Sequence, residues 1–233
     1  MTLAIMQPYL FPYIGYWQLI NAVDTFVIYD NIQFSKKGWF HRNNIVLNGK
    51  KMLFSIPLKK DSDSLDVVER YISDSAEKEI NKIIRQIENG YKKAPYFADV
   101  FPVIKEIFQN DERNLFKYIY NSVIKICNYL EINTNIVISS TVNIDHTLKS
   151  QDKVIALNKA LNATKYINPI GGTELYDCEE FKKENIELCF LKSDVPEYKQ
   201  FSSDFIPYLS IVDIMMFNSK KDVKQMLKRY ELV

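Results

Sequence analysis

Two short apolar runs with a helical stretch between them set the fold class of this chain. Leu3 to Met6 and Thr25 to Tyr29 are too short for helices and apolar throughout, which reads as buried strands. The first stops at Pro8, because proline cannot donate to a ladder, and Pro8 and Pro12 bracket an aromatic turn. A helix is predicted from Tyr13 to about Ala22, so the opening reads strand, helix, strand, the pattern of a βαβ unit. The pattern returns later, with strands predicted over 135–139, 164–167 and 186–191 and helices over 150–160 and 179–185. Between the two halves, Asn48-Gly49 separates runs at about 43–47 and 50–56 and marks a hairpin, since both residues tolerate positive φ. Helices are then expected over about 75–91, with Asn89-Gly90 as the stop, and over 94–109 and 114–131. Two more, 210–217 and 222–230, close the reading. The expected fold is α/β: a mostly parallel sheet flanked by helices, with a β-hairpin and a helical subdomain (about 75–131) inserted in the middle of a single domain, 1–233.

Composition removes several classes of function. Lysine and arginine number 30 against 29 acidic side chains, so no strong field favours nucleic acid. No apolar run approaches the ~20 residues that span a bilayer, and no basic segment precedes an apolar stretch at the N-terminus. A cytoplasmic protein with no membrane partner is expected. Cys127, Cys178 and Cys189 form no CxxC pair, and His41 and His146 form no HExxH pair. No metal is expected.

The residues that can carry chemistry gather after the first two strands. In open α/β sheets ligands bind outside the carboxyl ends of strands, so Gln7 and Tyr9 should share a rim with Asp30 and Gln33. Gln33, Ser35, Lys36, Lys37, His41, Arg42, Asn43 and Asn44 follow within twelve residues, with Phe34, Trp39 and Phe40 between them. Polar groups interleaved with rings suit a nucleotide or a sugar, and they equally suit a polar connection pinned by apolar rings. Lys36, Lys37 and Arg42 are the concentrated positive charge that a diphosphate needs. Gly171 and Gly172 follow a predicted strand and precede a helix, where paired glycines let a backbone approach a phosphate; a plain glycine turn is the alternative. His41 is the candidate general base, with His146, after Asp145, the second. No serine or cysteine sits in a nucleophile elbow.

Three stretches together, QPYLFPYIGYWQLI, VIYDNIQFSKKGWFHRNNI and LFSIPL, resemble the opening of the WbqC-like family. LNKALNATKYINPIGG, ELCFLKSDVPEYKQ and FIPYLSIVDIMMFN extend the likeness over nearly the whole chain. The motif positions are Gln7, Tyr9, Gly15, Asp30, Gln33, Lys36, Trp39, Arg42 and Asn43, while His41 stands where the family often has glutamine. The family accompanies genes for bacterial surface polysaccharides (O-antigen, capsule), particularly for unusual amino sugars. The resemblance therefore implies a transferase that acylates the amine of a nucleotide-linked amino sugar, a dTDP- or UDP-sugar, with acetyl-CoA as donor. An aminoacyl group such as glycyl is the variant on that chemistry. The reading from another class is a nucleotide-sugar-binding accessory protein with no catalysis of its own, and a homo-oligomer stays open in either case.

Overall fold

β1 (Thr2–Met6) lies in the middle of the sheet. It pairs in parallel with β2 (Thr25–Ile28), Leu3 opposite Thr25 and Met6 opposite Ile28, and on its other side with β6 (Lys165–Pro169). β5 (Asn135–Ile138) adds beyond β2, and β7 (Glu187–Ser193) beyond β6, both parallel. β8 (Tyr230–Leu232) closes the far edge antiparallel to β7, giving the order β5-β2-β1-β6-β7-β8. The computed structural model describes residues 1–202 and 204–233.

Strands in a parallel sheet are buried on both faces and read as unbroken apolar runs, and β1 sorts its side chains accordingly. Ala4 packs into one core layer with α1 (Ile14–Asn21) and α4 (Leu115–Leu130). Leu3 and Ile5 point the other way, into a smaller core with Val154 and Leu157 of α5 (Ser150–Ala160) and Phe181 of α6 (Cys178–Lys183). The result is a mixed α/β protein whose mostly parallel six-stranded sheet is flanked by helices. A separate antiparallel hairpin, β3 (Arg42–Leu47) and β4 (Lys50–Ser55), stands beside it. Asn48 and Gly49 hold φ of 53° and 72°, the two positive values that a tight hairpin turn demands. The large core also takes in α2 (Ala76–Tyr91), α3 (Phe97–Phe108), α7 (Ile211–Phe217) and α8 (Lys220–Met226).

Two local expectations are corrected. Gly90 does not stop α2: the helix runs through it to Tyr91, and a Cβ there would sit 3.1 Å from the Val46 carbonyl oxygen. Its role is close approach of helix and hairpin. The final stretch is not helical to residue 230, because residues 230–232 pair with β7 instead and cover its edge.

One buried polar side chain ties the sheet's opening to its far edge. Gln18 of α1 is fully buried, and its Nε2 lies 3.0, 3.0 and 2.8 Å from the carbonyl oxygens of Asp194, Met226 and Arg229. Its Oε1 accepts from the Ser193 hydroxyl. No helix among the described residues is long and apolar enough to cross a membrane.

Candidate functional site at the sheet's switch point

The chain leaves β1 toward β2 on one side and later returns to β1's other side as β6, so the connections part between β1 and β6. Such a switch point opens a crevice at the carboxyl ends of the strands. A cleft of about 610 Å³ lies there. Met6 at the end of β1 and Gln7 beyond it, with Asn168 and Pro169 of β6, form its floor. Tyr9, Tyr29 and Ile32 form one wall, and Ser150, Gln151 and Val154 of α5 form the other. The turn carrying Gly171, Gly172, Glu174 and Tyr176 borders the mouth.

The N-terminus of α5 meets the cleft, with the Glu174 carboxylate at the mouth. Lys149 at its cap position offers no side-chain hydrogen bond to the leading amides, and Ser150 takes a φ of 48°. The positive end of an eleven-residue helix is therefore uncapped where Ser150 and Gln151 line the cleft. A different groove, about 520 Å³, runs over the outer side of the same helix and is lined by Asp145, Asp152, Glu180 and Glu184. Lys159 lines it too, paired with Glu184, so three carboxylates are left without that partner. The two sides of α5 differ in kind.

Of the residues singled out in the sequence, four meet at this cleft: Gln7, Tyr9, Gly171 and Gly172. The Tyr9 hydroxyl donates to Gln7 Oε1 at 3.2 Å. The two glycines differ. A Cβ on Gly172 would lie 2.0 Å from Asn168 Nδ2, whereas Gly171 has open space around it. Gly172 thus lets the Asn168 amide close against the turn, where Oδ1 accepts from the Tyr166 hydroxyl and Nδ2 donates to the Pro169 carbonyl.

Other singled-out residues are engaged elsewhere. Asp30 is 1 % exposed, and its carboxylate accepts from the hydroxyls of Ser139 and Ser140 and from the Ser140 amide, fastening the end of β2 to the end of β5. Asn43 is buried, with Nδ2 donating to the carbonyls of Leu10 and Phe11 at 2.9 and 2.7 Å. It satisfies the proline-bracketed turn, in which Phe11 holds a φ of 47°. Arg42 donates to the Gly38 and Lys37 carbonyls and lies over the Trp39 ring at 5.6 Å. Lys36 pairs with Asp63 in the open, and Gln33 donates to the Asp63 carbonyl, so Gln33, Lys36 and Lys37 border a separate recess of about 460 Å³.

Neither histidine lines the cleft. His41 packs against Phe34, and its buried Nδ1 has no partner. Burial, with the charges of Arg42 and Arg70, pulls its pKa down to about 4, so the ring is neutral at pH 7. Both nitrogens of His146 are engaged: Nδ1 accepts from Asn31 Nδ2 and Nε2 donates to the Val142 carbonyl, each at 3.0 Å. The tautomer follows from Val142, whose carbonyl can only accept, so Nε2 carries the hydrogen and Nδ1 is left to accept.

Sequence reasoning passed over Lys153. It is 4 % exposed, its ammonium sits 4.8 Å from the centre of the Tyr29 ring, and its one hydrogen bond among the described residues goes to the His146 carbonyl at 3.4 Å. Desolvation lowers its pKa against the pull of Asp66 and Asp30. Tyr29, the cleft wall it rests on, is raised to about 12, first by burial. A lysine inside a helix of mixed charge looks like an exposed one, so only the packing reveals it. Among the described residues no three histidine, cysteine, aspartate or glutamate side chains come together in a way that could hold a metal.

A parallel sheet with a cleft at its switch point, met by an uncapped helix N-terminus, defines a mixed α/β protein with a candidate ligand site at the strand ends. The chain belongs to the WbqC-like protein family, whose profile matches residues 7–225. It is 25 % identical over 214 residues to the uncharacterized protein Rv1507c of Mycobacterium tuberculosis strain H37Rv, covering 91 % of each chain. No solved structure matches the chain significantly.

Proposed function

We propose that the chain is an N-acyltransferase of surface-polysaccharide biosynthesis. It binds a dTDP- or UDP-linked amino sugar in the switch-point cleft and moves an acetyl group from acetyl-CoA to the sugar amine. The observation that carries this reading is the uncapped N-terminus of α5 facing a 610 Å³ cleft at the strand ends. Free amides and a helix dipole are a receptor for a diphosphate. Gln7, Asn168 and Tyr176 supply polar atoms for sugar hydroxyls from the floor and mouth. In the reaction the amine attacks the thioester carbonyl, the C–N bond forms, the C–S bond breaks, and the coenzyme A thiol leaves with the proton the amine gives up. Neither histidine presents a free nitrogen to the cleft, so the rate must come from placing the amine against the thioester. Oriented reactants reach effective molarities of ~10⁵–10⁸ M, which is sufficient without a strong base.

The same absence of an imidazole favours one second reading, a nucleotide-sugar-binding accessory protein without catalysis. Incubation with acetyl-CoA and a panel of dTDP- and UDP-linked amino sugars, read by thiol release and by the mass of the sugar nucleotide, separates the two. Acylated sugar with stoichiometric thiol is expected. Tight binding of a sugar nucleotide with no thiol release from any pair would leave the accessory reading.

A further inference from the structure

Tyr9 is the wall between two hollows. On one side lies the switch-point cleft; on the other is an open cup of about 170 Å³ formed by Tyr9, Pro12, Tyr13, Trp39, Asn43 and Tyr208. The cup is built almost wholly of rings. Trp39 is 41 % exposed and Tyr208 62 %, high for side chains of this size, and Tyr13 and Tyr208 stand 6.2 Å apart at their centres. Trp17, by contrast, is fully buried and donates to the Pro12 carbonyl.

The polar groups around the cup are not all engaged. Asn43 is used up by the turn beneath it. The hydroxyls of Tyr13 and Tyr208 have no hydrogen-bond partner among the described residues, and Tyr13 is pushed up in pKa by burial and then by Tyr208. On Trp39 the Arg42 guanidinium lies 5.6 Å from the ring centre, held by two backbone carbonyls. An exposed indole carried on a fixed cation, two phenols whose hydroxyls have no partner among the described residues, and a shared Tyr9 wall with the switch-point cleft describe a receptor for one planar, polar ring on a ligand that reaches into the cleft.

We propose that this cup is the base subsite of the cleft: it stacks the heteroaromatic base of a base–ribose–diphosphate ligand whose phosphates lie toward α5. The inference rests on the reading of the cleft as a nucleotide site and adds where the base goes. Two sources share the chemistry, the pyrimidine of a sugar nucleotide and the adenine of coenzyme A, and the experiment tells them apart.

The test uses the whole chain and reads tryptophan emission and calorimetric affinity, with UDP, dTDP, coenzyme A and inorganic pyrophosphate as probes. Trp39 is the emitter that ligand can reach, so a base-bearing ligand should quench it while pyrophosphate should not. Trp39→Ala should weaken the base-bearing ligand about 5- to 100-fold and leave pyrophosphate unchanged. Trp39→Phe, which keeps a stacking face, should recover part of the loss. Quenching by UDP and dTDP assigns the cup to the sugar nucleotide, and quenching by coenzyme A alone assigns it to the donor. UDP, dTDP and coenzyme A that bind no tighter than pyrophosphate, or Trp39→Ala with unchanged affinity for all of them, would overturn the proposal. Acyl transfer that proceeds with affinities indifferent to Trp39 would sink the cup alone. Base-dependent quenching without thiol release would sink the transferase and keep the cup.

Discussion

Asp30 Oδ2 accepts a hydrogen bond from the Ser140 hydroxyl at 2.6 Å, while Oδ1 accepts from the Ser139 hydroxyl and the Ser140 amide at 2.7 and 2.9 Å. One carboxylate thus joins two neighbouring strand ends by three contacts. Truncating it leaves buried donors without a partner, each at ~1–3 kcal/mol. Asp30→Ala is expected to lower the unfolding free energy by roughly 3 kcal/mol in urea titration, with ligand affinity following only through the fold. A variant that melts like the parent yet loses nucleotide binding would move Asp30 into the site.

His41 makes stability depend on pH in a definite direction. Its folded pKa, about 4, lies below the 6.5 of a free histidine. The unfolded chain binds more protons between those values, so the contribution is full above pH 6.5 and is lost as pH falls toward 4. The ceiling is on the order of 3 kcal/mol. His41→Phe should flatten the fall in stability between pH 7.5 and 5 relative to the parent, and the His41 ring should stay neutral by NMR at pH 5. A parent and variant with equal slopes would refute this. At pH 7 such a weak base gives little help to an amine, so His41→Asn should cost well under the ~10²-fold that marks a lost general base.

Lys153 should trade stability against binding. Holding an ammonium against the Tyr29 ring with one long hydrogen bond is costly, and desolvation there outweighs the pull of Asp66 and Asp30, so an apolar side chain of similar length should fit the place at no loss. Lys153→Met is therefore expected to melt no lower than the parent. The charge stands behind the Tyr29 wall of the cleft, so the same variant should bind UDP and dTDP more weakly, and salt should weaken the parent's binding more than the variant's. Higher affinity in Lys153→Met would rule the lysine out as an anion partner.

The two glycines at the mouth should behave differently. Gly171→Ala meets open space and should leave melting and affinity near the parent values. Gly172→Ala must push the Asn168 amide from its place, breaking the contacts to Tyr166 and Pro169 at a cost of ~1 kcal/mol each. Reduced nucleotide affinity in Gly172→Ala only, measured by calorimetry, is the expected outcome. Equal effects from both would deny Asn168 a part in the floor.

The strands and the hairpin were legible because their signals are local. Apolar runs of four or five residues and an Asn-Gly turn carry their own periodicity and φ preference, and β1, β2 and the β3–β4 turn lie where those signals put them. The cleft was half legible. Gln7 and Tyr9 were placed by the rule for strand ends, but that rule pairs them with a neighbouring strand end, and the sheet has two. The sequence reading joined that end to Asp30 and Gln33 beyond β2 and marked the glycine turn after Asn168 only as a separate feature, so the meeting of β1 and β6 ends, with Ser150 and Tyr176 beside them, went unmarked. Strand order is a property of long-range pairing that no window of residues contains. Arg42 and Asn43 were not legible for a related reason: a polar side chain engaged by nearby carbonyls and one offered to a ligand look the same until the backbone is folded.

Gln18 imposes a timetable. Its amide sits in a helix that is complete by residue 21, yet the carbonyl it approaches most closely belongs to Arg229, 211 residues further along. During synthesis the opening strand–helix–strand unit must wait with that amide hydrated, and α1 cannot settle dry against the sheet until residues 226–229 have emerged. Contacts so far apart in sequence slow folding, and here the most distant one also supplies an acceptor to a fully buried amide. The buried amide of α1 is thus satisfied only by the far end of the chain, so the amino-terminal strand–helix–strand unit depends on the sheet's last edge for its polar closure.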